Sequence, residues 1–478
     1  MSSNKAISCP PMMTVKSRLR RYLTIHYITS NKPLGWPPMM RFKSRLRRYL
    51  TIHSQRRQSF DRFGDDLSQL LLSYLSIDDK LRFESVSKQW HRLILQTVDE
   101  IIFNNNFRLI TGDSLVTLLK KCPNITRIEI ADKLYLLSYF SQYCQHLRHI
   151  CITGNTNGYI EVNDDDNQQL APIIDNFFVI FAKQLLTIDV KKYRRCQPLG
   201  NALYRHLKDC VNLSVFNNRL THYRYHIYRH FFTVEPVFRR LTTFAIDIFN
   251  QKFLNIFEQI VSLYARQLTS LTILILFNDN QLYLKSLTCL SQLTQLTDLT
   301  ISLYDDFGYL LPQMGQLLRS IGLQCRRLKR LSLTIGSVNR SVYNGCDIMK
   351  TICHNFKQLK RLYLYGGSLN NIDFIGSNNN YNNNTINGFK QLTHLTILSK
   401  KMSTTDQFIG NIAANCPRLQ YIRYSGYRIE TNELKLLIKR LTQLRTIELQ
   451  NLDEDIDYSY LKSIKMFRKS GNIFCLYL

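Results

Sequence analysis

The sequence predicts an α/β chain: a short N-terminal helical unit, then a curved solenoid with parallel strands inside and helices outside. Three observations carry that prediction. From residue 118 onward one phrase, L-x-x-L-x-L, keeps returning, as in LTSLTILI, LTDLTISL and LKRLSLTI. The segments between its copies, such as NIFEQIVSLYARQ and DIMKTICHNFKQ, carry helical spacing instead. Ahead of all of them, residues 60–103 place apolar residues at helical intervals without the phrase.

The chain has 478 residues, 45% hydrophobic and 12% aromatic, enough to bury a core. No run of 18 uncharged apolar residues occurs, which points to a soluble chain with no membrane partner. Its formal charge is +28, and residues 1–57 hold 13 Lys and Arg with no Asp or Glu. There PPMMTVKSRLRRYLTIH (10–26) recurs as PPMMRFKSRLRRYLTIH (37–53), identical at 15 of 17 positions. Such near identity reads as a recent tandem duplication within a basic, disordered tail at 1–59; a nuclear-import signal is the alternative. Twelve cysteines without a CxxC pair or a secretory signal fit a reducing compartment, cytoplasm or nucleus.

In the helical unit, Leu67, Leu70, Leu71, Tyr74 and Leu75 fall at i, i+3, i+4, i+7 and i+8, lining one helix face that Ser76 ends. Ser76 or Asp78 can cap the next helix, and Val86, Trp90, Leu93 and Ile94 continue the helical spacing. Three short helices in about 40 residues bury too little apolar surface to stand alone, so they need a partner or the following domain to pack on. The order Phe63, Gly64, Asp66, Leu67, Leu71, Tyr74, Leu75, Leu81, Val86, Ser87, Lys88, Trp90 resembles an F-box, although Phe63-Gly64 replaces the family's Leu-Pro. The resemblance implies docking on the Skp adaptor of a cullin-RING ubiquitin ligase through Phe63, Leu67, Leu71, Leu75, Leu81, Val86 and Trp90.

In the solenoid, 104–478, the first apolar positions of the phrase are Ile125, Leu147, Leu185, Leu213, Leu241, Leu268, Leu296, Leu328, Leu359, Leu392, Leu419 and Leu444. The steps run from 22 to 38 residues and resemble about twelve leucine-rich repeats with loop insertions. One strand and one helix per repeat cannot bury an apolar face alone, so the repeats stack. Cys122, Cys144, Cys210, Cys325 and Cys416 each stand three residues before a first apolar position, where a small buried side chain fits a helix end. That placement resembles the cysteine-containing class of these repeats, which commonly follows an F-box.

Other signals have structural readings. CQHLRHIC suggests zinc, but Cys144 belongs to a helix end while His149 and Cys151 belong to a strand face, so no metal is expected. NRLTHYRYHIYRHFF (218–232) and KKYRRC (191–196) could track nucleic acid, or form a solvated loop and helix face; the second is preferred. The Asn-rich insertion at 376–388 and the DDD at 164–166 read as loops. No GxxxxGK[ST], GxSxG or HExxH motif occurs, so no catalytic residue, cofactor or small-molecule ligand is expected.

Because the first apolar position points inward, residues two, four and six places later project from the open strand face. Along the later repeats these are Asp298, Arg330, Arg361, His394, Tyr421 and Thr446, then Tyr363 and Arg423, then Tyr365. Of these, Arg330, Arg361, Tyr363, Tyr365, His394, Tyr421 and Arg423 form the expected binding set, suited to an acidic or phosphorylated protein segment. The functional expectation is a non-catalytic substrate-recognition subunit, with cullin and RING subunits reached through the adaptor. The alternatives are a repeat scaffold without a ligase role and, third, a nucleic-acid binder.

Overall fold

A computed structural model describes residues 64–75, 79–80, 83, 87–103, 112–131, 133–154, 164–191, 197–218, 237–275, 287–304, 311–336, 343–370, 389–401, 412, 415–425, 431–450, 466–470 and 473–477. The duplicated basic element, the Asn-rich insertion, 219–232, 192–196, Phe63, Leu81 and Val86 lie outside them. The described chain forms two units, one ending at Asp99 that also takes in Lys121–Asn124, and one holding the rest.

In the first unit, helix α1 (Asp65–Leu72) starts at Gly64 and carries Asp65 and Asp66 in its first turn, where acids suit the helix dipole. It stops earlier than its periodicity suggests. The Ser73 hydroxyl donates to the Leu70 carbonyl at 2.8 Å, and the N–H groups of Tyr74 and Leu75 reach back only three residues, so both lie in a closing turn. Helix α2 (Lys88–Thr97) is capped by Ser87, whose hydroxyl accepts the Trp90 N–H at 3.1 Å. Trp90, Leu93 and Ile94 are its buried face, and Phe83 meets the Trp90 ring edge-on at 6.0 Å. Asp65 ties the two helices by accepting from Gln89 at 2.7 Å and Arg92 at 2.8 Å.

The second unit is built on one sheet. Its strands are β1 (Glu100–Phe103), β2 (Arg127–Ala131), β3 (His149–Thr153), β4 (Thr187–Lys191), β5 (Val215–Asn218), β6 (Thr243–Ile248), β7 (Ser270–Ile275) and β8 (Asp298–Tyr304). There follow β9 (Arg330–Gly336), β10 (Tyr343–Asn344), β11 (Arg361–Asn370), β12 (His394–Lys401), β13 (Tyr421–Ser425), β14 (Thr446–Gln450), β15 (Met466–Ser470) and β16 (Ile473–Tyr477). Strands β1 to β9 and β11 to β14 pair in parallel in chain order, and β10 flanks β11. This second unit is a leucine-rich-repeat solenoid.

All twelve first apolar positions are buried, from Ile125 at 0% exposure to Leu444 at 5%. The register passes without a slip through Arg127, His149, Thr187, Val215, Thr243, Ser270, Asp298, Arg330, Arg361, His394, Tyr421 and Thr446, so every length difference between repeats falls outside the strands. The recurring Leu-Thr and Leu-Ser pairs have a bonding reason. Ser214, Thr242, Thr269 and Thr297 each donate a hydroxyl to the carbonyl of the equivalent residue one repeat earlier, at 3.0 to 3.3 Å. The same carbonyls accept two backbone N–H groups, which tightens the turn into each strand.

Cys122, Cys144, Cys210, Cys325 and Cys416 are all buried at the turn before a strand, and Phe238, Leu293, Phe356, Phe389 and Leu441 fill the same position elsewhere. Burial pushes the thiols of Cys210 and Cys325 up to about 12, which leaves them protonated and inert. This is a packing position, as its spacing predicts.

Two expectations are corrected, and one element is added. The sheet starts at Glu100 rather than 104: EIIF carries no repeat phrase, yet Ile101 and Phe103 are buried in register with Ile128 and Ile130. The DDD at 164–166 opens a helix, Asp164–Phe181, instead of a loop; acids belong on a first turn. Past β14 the chain adds an antiparallel hairpin, β16 beside β14 and β15 beside β16, which covers an edge that would otherwise expose unpaired backbone groups. No helix among the described residues is long and apolar enough to cross a membrane.

Candidate protein-binding face

Helices cover one face of the sheet's buried columns, so chemistry on the other face comes from the alternate strand positions. Parallel pairing stacks these into rows with a spacing of about 4.8 Å. One row reads Arg330, Arg361, His394, Tyr421 across β9, β11, β12 and β13; the next reads Ser332, Tyr363, Thr396, Arg423; Tyr365 follows Tyr363 on the same side of β11. All seven residues expected from the sequence therefore meet on four adjacent strands.

Their charges are not equally available. The Arg330 guanidinium pairs with Asp298, with one contact at 3.2 Å, and the Thr297 hydroxyl lies 2.6 Å from the same carboxylate, between it and the Thr269 carbonyl. Arg423 lies 3.7 Å from the carboxylate of Glu448, which is only 7% exposed. Glu448 was not in the expected set, although it occupies the same column of the last repeat, one strand beyond Arg423. His394 stacks on Tyr421 with ring centroids 5.6 Å apart and shares a hydrogen bond with Thr393 at 2.9 Å. Burial first, and the neighbouring Arg361 charge second, push His394 down to about 4, so its ring is neutral near pH 7.

Equivalent rows on β2 to β4 carry different residues. Glu129, Cys151 and Asp189 lie side by side, Arg127 pairs with Glu100 at 2.7 Å, and Lys191 pairs with Asp189 at 3.1 Å. The Cys151 thiol is pushed up to about 11 by burial and then by Asp189 and Glu129. Cys144 ends the helix Leu137–Tyr143 while His149 and Cys151 stand on β3, and no cluster of three His, Cys, Asp or Glu among the described residues could hold a metal. Between the two ends, β5 to β8 present mostly small residues, among them Asn217, Thr243, Ala245, Ser270, Thr272 and Thr300.

In the first unit, Leu67 is 42% exposed, Leu71 and Leu75 are half-buried, and Trp90 is buried. Gly64 adopts φ −55° and ψ 157°, the backbone that a proline would impose, and a Cβ there would meet nothing within 4 Å. The Phe-Gly departure therefore leaves the start of α1 in the geometry of a Pro-containing start.

No family model and no curated protein matches this chain. Among solved structures it is similar to a chain in the crystal structure of the Rad7 and Elc1 complex in yeast, at 12% identity and TM-score 0.44, covering 88% of this chain and 96% of that one. It is also similar to the leucine-rich repeat-containing protein LegL7 from Legionella pneumophila, at 12% identity and TM-score 0.30, covering 57% and 92%. The fold assignment rests on the strand ladder itself.

Proposed function

We propose that this chain is a non-catalytic substrate-recognition subunit of a Skp-cullin-F-box ubiquitin ligase, acting in the cytoplasm or nucleus. Its N-terminal helices dock the Skp adaptor, and through it the cullin and RING subunits, while the open face of the repeats captures a protein. The observation that carries the reading is the F-box-like order of residues from Leu67 to Trp90, placed directly ahead of a repeat solenoid. The exposed Leu67, the half-buried Leu71 and Leu75, and the Ser87 cap that starts α2 at the VSKQW segment are consistent with an apolar docking surface.

Binding of the full chain to a purified Skp adaptor tests it. Replacing Leu71, Leu75 and Trp90 together with Ala should remove most of the affinity, since buried anchors cost about 2 kcal/mol or more each on truncation. Trp90 is buried, so Leu67→Arg is the cleaner variant: it should weaken binding at least tenfold with an unchanged melting temperature. Wild-type binding by the Leu67→Arg and triple variants would leave a repeat scaffold without a ligase role. Gly64→Pro should keep binding and stabilise the chain by about 0.4–1 kcal/mol in thermal melts, because the native backbone already suits proline.

A further inference from the structure

Five cations with described side chains stand on the open-face columns, Arg127, Lys191, Arg330, Arg361 and Arg423, and Lys400 lies at the same parity further along β12. Four of the five face a carboxylate, respectively Glu100, Asp189, Asp298 and Glu448. Arg361 is the exception. It is exposed, its partners in register are Arg330 and His394, and it has no ion pair among the described residues. Its charge is felt locally, since it helps to hold His394 neutral. Lys329 and Lys360 sit in the turns before β9 and β11, outside these columns.

Resting on the reading that the open face captures a protein, we propose that Arg361 anchors one carboxylate side chain of the captured segment, with Tyr363 and Tyr365 packing the residues beside it. A guanidinium offers a planar fork of donors that a carboxylate fills two at a time. Around Arg361 the described side chains supply one uncompensated cation, which matches one carboxylate at that place. Arg330 is already held by Asp298, whose own charge lies two strands away, and the ring of His394 supplies no second cation. Tyr363 and Tyr365 follow Arg361 at alternate positions of β11, so neighbours of the acid meet aromatic surface rather than further charge. The recognised segment therefore places one Asp or Glu at Arg361 with apolar or aromatic residues beside it, and a carboxylate rather than a phosphate fills that site.

The test is panning a random dodecapeptide phage library against the full chain and against Arg361→Gln, an exposed position where folding is checked by melting temperature. Wild-type binders should be enriched for one acidic position that disappears from the Arg361→Gln pool. A synthetic peptide of the enriched sequence should lose about tenfold in affinity when its acid becomes Gln, or when Arg361 becomes Gln, with little further loss when both change. An unchanged Kd for either substitution overturns the anchor, as does a library that yields no enriched peptide. Tighter binding when the acid is replaced by phosphoserine overturns the carboxylate. Peptides that need no acid but are lost in Tyr363→Ser overturn this inference while leaving open-face capture standing; peptides indifferent to both variants overturn capture there as well.

Discussion

Strands β2 to β4 and strands β9 to β13 occupy equivalent positions of one ladder. Where the first set places Glu129, Cys151 and Asp189 in a row, the second places Ser332, Tyr363, Thr396 and Arg423. Their buried columns are interchangeable: Ile128, Ile150 and Ile188 in one, Leu331, Leu362 and Leu395 in the other, all nearly fully buried. Even the histidines correspond, His149 and His394 sharing a row, each held below its ordinary range by burial and by adjacent arginine. In a stacked fold the inward positions are constrained by every neighbour, whereas the outward positions are free to vary. The outward chemistry is therefore where the two ends part, and among the described residues the second end leaves Arg361 without a counter-charge.

The largest effects should ignore that difference. Ile188→Ala on β4 and Leu362→Ala on β11 should each cost about 2–5 kcal/mol in urea unfolding. A cost at one end less than half that at the other would break the premise of a shared core. Gly322→Ala should cost about 1–3 kcal/mol in the same assay, because its Cβ would stand 2.5 Å from the Asn355 Cβ where two successive helices meet.

Smaller effects sharpen the comparison through pH. The folded pKa of His394 lies near 4, below the ordinary 6.5, so between these values the unfolded chain binds the proton more readily. Its contribution to stability is full above about pH 6.5 and is lost as pH falls towards 4; solvent access keeps it to the order of 1 kcal/mol. Two-dimensional NMR of the imidazoles should show both histidines titrating below 6.5, and His394→Gln should flatten the stability profile in that window. The smallest changes are expected for the exposed ion pairs: Arg127→Gln and Arg330→Gln should each shift stability by less than about 1 kcal/mol.

Most of the ladder was legible in the amino-acid order, because L-x-x-L-x-L alternates at the strand period and so assigns every outward residue to a column. The register from Arg330 to Tyr421 follows directly from aligning Leu328, Leu359, Leu392 and Leu419. Strand β1 and the β15–β16 hairpin lack the phrase, and antiparallel pairing of Met466–Ser470 with Ile473–Tyr477 leaves no mark in a parallel repeat. The end of α1 at Leu72 depends on the Ser73 hydroxyl outcompeting the helix, which periodicity cannot register. The pairs Arg330–Asp298 and Arg423–Glu448 join residues 32 and 25 positions apart, and whether such side chains meet is decided by rotamer and local burial rather than by residue type.

One paired measurement bears on the central claim that adaptor docking and protein capture reside in separate parts of this chain. The full chain, Leu67→Arg and Arg361→Glu would be purified from cells expressing each, and their bound proteins quantified by mass spectrometry. The account predicts a double dissociation: Leu67→Arg loses Skp, cullin and RING subunits and keeps its other captured proteins, whereas Arg361→Glu keeps the ligase subunits and loses the captured set. Retention of both sets by both variants, or loss of both sets from a variant that still melts at the wild-type temperature, would contradict it.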